Sequence, residues 1–341
     1  MSLWTVILAG GVGSRFWPIS TPALPKQLLP LATGQPMLRD AVDRLLPLVP
    51  GDRMLILTNA LLEPAIATML PDVPAANIVC EPRPAGTAAA LAWAARLIQL
   101  RDPHAIMLSV HADWAIGDPE GFRNALVRAA HVAESNDALV TVGVTPTRPD
   151  PGFGYIQPGE RMGDDAFRVA HFLEKPDRVR ARELIAAGCL WNSGIFVWRA
   201  SRFLAEVETH CPEVSRASGE TTLDGFFGAV RSISVDVGVL ERSDRVCVVP
   251  GSFGWDDVGT WAALRRVRPA DESGNAMHGD VTAVMSTGNV AHAEGPSVVL
   301  YGVSDLVVVA IDGLTVVTTQ EHAADLKTLI DALPARLKDR G

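Results

Sequence analysis

Short apolar runs alternate with longer stretches of helical period through the first half of the chain. Residues 6–8, 54–57, 78–80, 105–108 and 139–144 are dominated by Val, Ile, Leu and Met and are too short for helices. Between them, residues 36–48, 61–70, 87–100 and 121–133 follow the apolar spacing of a helix. Strands returned by helices predict βαβ units, and hence an α/β fold with a mixed, mostly parallel sheet covered by helices on both faces. The first strand, residues 4–8, is expected deep in that layer.

After about residue 145 the rhythm shifts to short strands punctuated by glycine and proline, as in Pro151-Gly152-Phe153-Gly154-Tyr155-Ile156. This reads as an elaborated second half of the same domain. A polar segment holding Pro269, Gly274 and Gly279 marks a boundary. Beyond it, residues 281–284, 297–301, 306–311 and 314–318 read as closely spaced strands and 321–333 as a closing helix. The expected organisation is a catalytic domain over 1–267 and a small β-rich, β-helix-like domain over 275–341.

Composition narrows the function. The chain has 341 residues, 48% of them hydrophobic, enough for a substantial core, and a net charge of -9. That charge argues against nucleic acid as a partner, because phosphate-backbone affinity needs a basic face. Any anionic ligand must meet a local basic pocket. The apolar start lacks a basic leader, and no apolar run reaches the roughly 20 residues of a membrane span, so neither secretion nor a membrane partner is expected. Cys80, Cys189, Cys211 and Cys247 form no Cys-x-x-Cys pair, which fits a reducing cytoplasm.

The first strand opens onto Ala9-Gly10-Gly11-Val12-Gly13-Ser14-Arg15. Glycines here let the backbone approach a ligand and aim its amides at phosphate oxygens, and Arg15 adds a forked positive charge. A glycine-rich turn after a first strand also occurs as a purely structural element. A dinucleotide fold is excluded, since Phe16 stands at its third glycine and the second strand ends in Thr58-Asn59 rather than a ribose-binding carboxylate. No lysine follows Gly11 or Gly13, so the Walker pattern is absent too. Pro25-Lys26-Gln27 follows in a loop stiffened by prolines at 18, 22, 25 and 30, from which Lys26 can reach back over the glycine turn.

Gly10-Gly11-Val12-Gly13-Ser14-Arg15-Phe16-Trp17-Pro18 with Pro25-Lys26-Gln27 resembles the N-terminal signature of the sugar-1-phosphate nucleotidyltransferases. Trp17-Pro18 resembles the guanylyltransferase branch. Glu174-Lys175-Pro176, Trp191-Asn192-Ser193-Gly194 and Gly254-Trp255-Asp256-Asp257-Val258-Gly259 follow in the family's order, so the resemblance spans most of the chain. It implies a Rossmann-like, GT-A-like fold and in-line attack of a sugar phosphate oxygen on the α-phosphorus of a nucleoside triphosphate. The implied substrates are GTP and mannose 1-phosphate, the implied cofactor is Mg2+, and the candidate assembly is a homodimer.

The same resemblance implies the site. Gly10, Gly11, Gly13, Ser14, Arg15 and Lys26 meet the nucleotide, with Glu81, Gly86 and Thr87 in its base-side loop. Arg15, Lys26 and Lys175 are the catalytic cations. Gly154, Glu174 and Asn192 meet the sugar, while Phe153 and Trp191 read as packing residues. Asp113 and Asp257 hold the metal, with Asp256 the alternative to Asp257, which stands two residues before Gly259 as the family's ligand does. His111 reads as structural, because hard magnesium prefers oxygen.

Two departures stand out. After Glu81-Pro82 the family runs arginine-asparagine-threonine-alanine-proline, whereas Ala85, Gly86 and Ala89 occupy the arginine, asparagine and final proline positions here. Asp113 follows His111-Ala112 and precedes Trp114, where the family has proline-alanine and histidine. The first departure keeps UTP or dTTP with glucose 1-phosphate open as an alternative pair. A non-catalytic sugar-nucleotide sensor is a second alternative. A glycosyltransferase Asp-x-Asp motif is ruled out by Ala115 and Gly259. The length leaves no room for the isomerase domain that some members carry, so no isomerase activity is expected, and turnover of fructose 6-phosphate would overturn that.

Overall fold

A computed structural model describes residues 1–11, 14–163 and 166–338. Residues 1–10, 43–111 and 118–255 form one compact unit built on a nine-stranded sheet. Its strands are β1 (Leu3–Leu8), β2 (Met54–Thr58), β3 (Ile78–Cys80), β4 (Ile106–His111), β5 (Leu139–Val144), β6 (Tyr155–Arg161), β7 (Phe167–Leu173), β8 (Leu190–Arg199) and β9 (Val246–Gly251). They lie in the order β3-β2-β1-β4-β8-β5-β9-β7-β6. The first four run parallel, as the early alternation predicts. β8 is antiparallel to β4 and β5, and β6 and β7 form an antiparallel pair, so the sheet is mixed where glycine and proline punctuate the sequence. Every residue of β2 and of β5 is buried, which is why these strands read as continuous apolar runs.

β1 lies between β2 and β4, with Leu8 opposite both Leu57 and His111. The segments after these strands therefore leave from one edge, beside a switch in strand order, where open α/β sheets bind ligands. The helix Gly86–Arg101 buries Ala88 through Ala95 without a gap. Alanine supplies helix propensity and lets the helix pack on all sides.

Residues 11–42, 112–117 and 256–341 form the second compact unit. Six strands of this unit are β10 (Ala276–His278), β11 (Val281–Val284), β12 (Val290–Ala293), β13 (Val298–Tyr301), β14 (Leu306–Ile311) and β15 (Leu314–Thr319). β10, β12 and β14 pair parallel in one sheet, β11 and β13 in another, so the chain winds alternately through two sheets along the path of a β-helix. β15 closes the first sheet antiparallel to β14. The short β10 and β12 were not among the expected strands, since each is a few residues long and carries a histidine. The expected closing helix divides into a 3-10 turn, His322–Asp325, and a helix, Leu326–Ala332. Asp325 caps the helix by accepting from the Thr328 amide.

The coils stack through a buried asparagine pair that the sequence does not announce as a repeat. Asn289 donates from Nδ2 to Asn275 Oδ1 at 2.9 Å and to the Val303 carbonyl at 3.1 Å, and its Oδ1 accepts from the Leu306 amide at 2.9 Å. Both asparagines are buried. Asn289→Ala strands the Val303 carbonyl, the Leu306 amide and the buried Asn275 side chain at once, so we expect it to cost about 2–4 kcal/mol, read as a lower melting temperature. An unchanged melt would show that water substitutes for the ladder.

The loop bearing Lys26 belongs to this unit's core. Phe16, Ile19, Leu29 and Leu31 pack with Val258, Trp261, Val290 and Val307. Trp261 Nε1 donates to the Trp17 carbonyl at 3.0 Å and Arg268 Nε to the Leu31 carbonyl at 2.6 Å. Arg268 Nη2 also meets His292 Nδ1 at 3.1 Å, and His292 Nε2 meets Glu294 at 2.8 Å. Because the guanidinium only donates, Nδ1 is the acceptor and the ring proton sits on Nε2. Burial pushes His292 down to about 4, so the ring is neutral near pH 7.

Candidate active site

In the sheet unit, Gly10 follows β1 and Glu81 follows β3. A Cβ on Gly10 would come no nearer than 3.9 Å to Glu81 Oε1. The Glu81 amide donates to the Thr58 carbonyl at 2.8 Å, which fixes its backbone, and burial pushes its carboxyl up to about 7. Gly86 opens its helix at φ +79°, and a Cβ there would lie 2.2 Å from the Ile233 carbonyl oxygen. Only glycine fits. The Thr87 hydroxyl accepts from the Val235 amide at 2.9 Å, pinning the same segment while keeping its own proton to donate.

Gly154, Glu174 and Asn192, far apart in sequence, converge. A Cβ on Gly154 would fall 2.5 Å from Glu174 Oε2 and 3.4 Å from Asn192 Cβ, and the Asn192 amide donates to the Gly154 carbonyl at 2.8 Å. Glycine at 154 is what lets the other two approach. Lys175 is exposed and meets Glu174 Oε1 at 3.2 Å, an ion pair worth little by itself. Its backbone is more telling. Lys175 has φ 48°, a left-handed conformation made harder to hold by the following Pro176. Phe153 and Trp191 pack edge to face at 4.8 Å.

In the second unit, Lys26 is buried and its ammonium donates to Asp113 Oδ2 at 2.9 Å and to the Asp257 carbonyl at 2.5 Å. Gln27 Nε2 donates to the Gly11 carbonyl at 2.8 Å, tying the lysine's turn to the glycine loop. Arg15 is exposed in the 3-10 turn Ser14–Phe16. Gly13 lies outside the described residues, and Ser14 is placed by its backbone turn alone. Asp256 is committed elsewhere: its carboxylate accepts from Arg266 at 2.6 and 3.1 Å and from the Val258 amide at 2.9 Å. Val258 is fully buried with φ 47°, a strained state for a β-branched residue costing about 1–3 kcal/mol. A Cβ on Gly259 would lie 2.8 Å from Asp257 Oδ2, so the Asp257 carboxylate rests over that glycine.

Comparison with known proteins places this geometry. The sequence description of the nucleotidyl transferase family matches residues 4–274. The chain belongs to the nucleotidyl transferase family. It is 36% identical to the mannose-1-phosphate guanylyltransferase of Salmonella muenchen, over 97% of this chain and 73% of that protein. It is 34% identical to the mannose-1-phosphate guanylyltransferase of Escherichia coli K12, over 98% of this chain and 74% of that protein. A crystal structure from Thermus thermophilus, described as a mannose-1-phosphate geranyltransferase, is 33% identical with a TM-score of 0.89, covering 97% of this chain and 99% of that one.

Within this nucleotidyl transferase the structure also brings forward residues that no sequence motif picked out. Asp236 opens a π-helical turn, Asp236–Leu240, and its Oδ1 accepts from Asn192 Nδ2 at 2.8 Å. Burial, reinforced by the charge of Glu174, pushes its carboxyl up to about 6. Arg266 and Arg268 act through Asp256 and the Lys26 loop. Their sequence neighbourhood is a plain basic stretch, which carries no sign of either partner. No helix among the described residues is long and apolar enough to cross a membrane.

Proposed function

We propose that the chain transfers GMP from GTP to mannose 1-phosphate, releasing pyrophosphate and forming GDP-mannose. The observation that carries the chemistry is the buried Lys26 ammonium joining Asp113 to the Asp257 backbone. The substrate pair rests on the relatives named above. In this reading a sugar phosphate oxygen attacks the α-phosphorus in line as the bond to pyrophosphate breaks, so the protein aligns two polyanions and offsets their charge. Arg15 and Lys26 meet the triphosphate with the glycine turn that follows the first strand. Lys175 holds the sugar phosphate, and Gly154 and Glu174 meet the sugar.

The donor set also suits magnesium. Asp113 and Asp257 offer oxygen only, and the lysine ammonium draws the Asp113 carboxylate and the Asp257 backbone carbonyl to one cation. Magnesium takes one or two carboxylates plus substrate oxygens, so two aspartates suffice. Bound there, the ion would neutralise charge on the reacting phosphates. The reading places the chain in the cytoplasm, in keeping with four free cysteines. A homodimer is the proposed assembly.

Pyrophosphate release tests the reaction, with mannose 1-phosphate or glucose 1-phosphate offered against each of GTP, ATP, UTP, CTP and dTTP. GTP-selective, mannose-1-phosphate-dependent release is expected. UTP or dTTP with glucose 1-phosphate is the second reading, kept by Gly86, where no side chain fits to meet a base. No release with any pair, from folded protein, would favour a sensor.

Glu81 adds a pH signature. Its folded carboxyl titrates at about 7, above the ordinary 4.5. The folded state thus holds this proton more tightly than the unfolded chain, and stability is fully present below about pH 4.5 and lost as pH rises through 7. The loss is of the order of 3 kcal/mol. Glu81→Gln is expected to flatten the fall in urea midpoint between pH 5 and 8, and parallel curves for the two proteins would contradict the assignment.

A further inference from the structure

Asn192 sits in the sugar-binding motif, yet its amide is engaged within the chain. Oδ1 accepts from the Thr141 hydroxyl at 3.0 Å and the Gly194 amide at 3.2 Å, while Nδ2 donates to Asp236 Oδ1 at 2.8 Å. The amide is a clamp that orients Asp236. That aspartate opens a single π-helical turn, an irregularity that recurs at functional sites. The carboxylate of Glu174 acts on it, and Glu174 lies over Gly154 beside Asn192, so the glycine lets both side chains converge at one place.

As packing alone this arrangement is poor. Burial and, after it, the charge of Glu174 penalise the charge of Asp236, and an asparagine at 236 would satisfy the clamp without charge. Hydroxyl donors reverse the balance, because ionised carboxylates only accept and hydrogen bonds to charged acceptors are the stronger kind. A hexose ring offers such donors on adjacent carbons.

Resting on the sugar 1-phosphate reading above, we infer that Asp236 accepts a hydrogen bond from a hexose hydroxyl and, with Glu174, selects the sugar by its hydroxyl pattern. Asn192 is the positioning residue for Asp236.

The test is steady-state kinetics of the full chain and of Asp236→Asn, with GTP against mannose 1-phosphate and its singly deoxygenated analogues at ring positions 2, 3 and 4. In D236N the side-chain oxygen stays with Asn192 and an amide donor replaces the acceptor. It should lower kcat/KM for mannose 1-phosphate about tenfold or more, leave the KM for GTP within about twofold, and lose little on the one analogue lacking the partner hydroxyl. Equal losses on every analogue and on GTP would mark a structural role and overturn the inference. So would a D236N enzyme that matches the wild type. If D236N does not fold, Asp236→Glu, which keeps the charge but displaces it by one methylene, carries the same comparison. Wild-type turnover of sugar 1-phosphates with no effect in either variant overturns this inference and leaves the reaction standing, whereas wild type that turns over none overturns both.

Discussion

Asp257→Ala is expected to lower kcat by about a hundredfold or more, the scale of one preorganised electrostatic contact, while leaving the melting temperature close to wild type. Asp256→Ala is expected to do the reverse. The two carboxylates are adjacent in sequence but differ in what already holds them. Asp256 is 8% exposed and bound by both the Arg266 fork and the Val258 amide, so its loss removes a charge-assisted pair and frees a buried amide, a cost of about 2–3 kcal/mol. That cost falls on the strained Val258 turn and reaches turnover only indirectly. Asp257 instead presents its backbone carbonyl to Lys26 and folds its carboxylate over Gly259. Kinetics with calorimetry on both variants checks this. A dead but stable Asp256→Ala beside an active Asp257→Ala would move the metal ligand to 256.

Lys26→Ala should cost turnover about a hundredfold to a thousandfold and also destabilise the protein. The ammonium is a buried cation whose contacts include Asp113 Oδ2 and the Asp257 carbonyl. Removing it leaves both oxygens facing the space it held, with one charge no longer balanced from that side. Lys26→Arg separates the two roles. The guanidinium keeps the charge but is planar and larger, and with only 9% of the lysine side chain accessible it cannot keep the lysine's geometry toward Asp113 and the Asp257 carbonyl. Turnover in the arginine variant should stay within about tenfold of the alanine variant, so recovery to near wild type would show that charge alone matters here.

Much of the sheet unit was legible because its signals are local. β2 and β5 are buried throughout, so they read as apolar runs, and the helix Gly86–Arg101 is an alanine-rich stretch between them. The β-coils were only half legible. β10 and β12 are short, and their pairing is sealed by Asn275 and Asn289, whose partners lie one coil away. The departure at Gly86 looks in sequence like a lost base contact, whereas in the fold it is a glycine required by the Ile233 carbonyl.

By itself the sequence determined the α/β class, the order of the glycine, lysine and aspartate motifs, and the need for a basic pocket in an acidic chain, because periodicity, motif order and charge are properties of neighbouring residues. Tertiary structure alone decided which of two adjacent aspartates is held by Arg266, and which oxygens the Lys26 ammonium reaches. It also decided that the Asn192 side-chain amide donates to Asp236 and accepts from Thr141. Those outcomes depend on hydrogen-bond geometry and burial between segments tens to hundreds of residues apart, and a side chain's charge state and free valences are fixed only when its distant partners are in place.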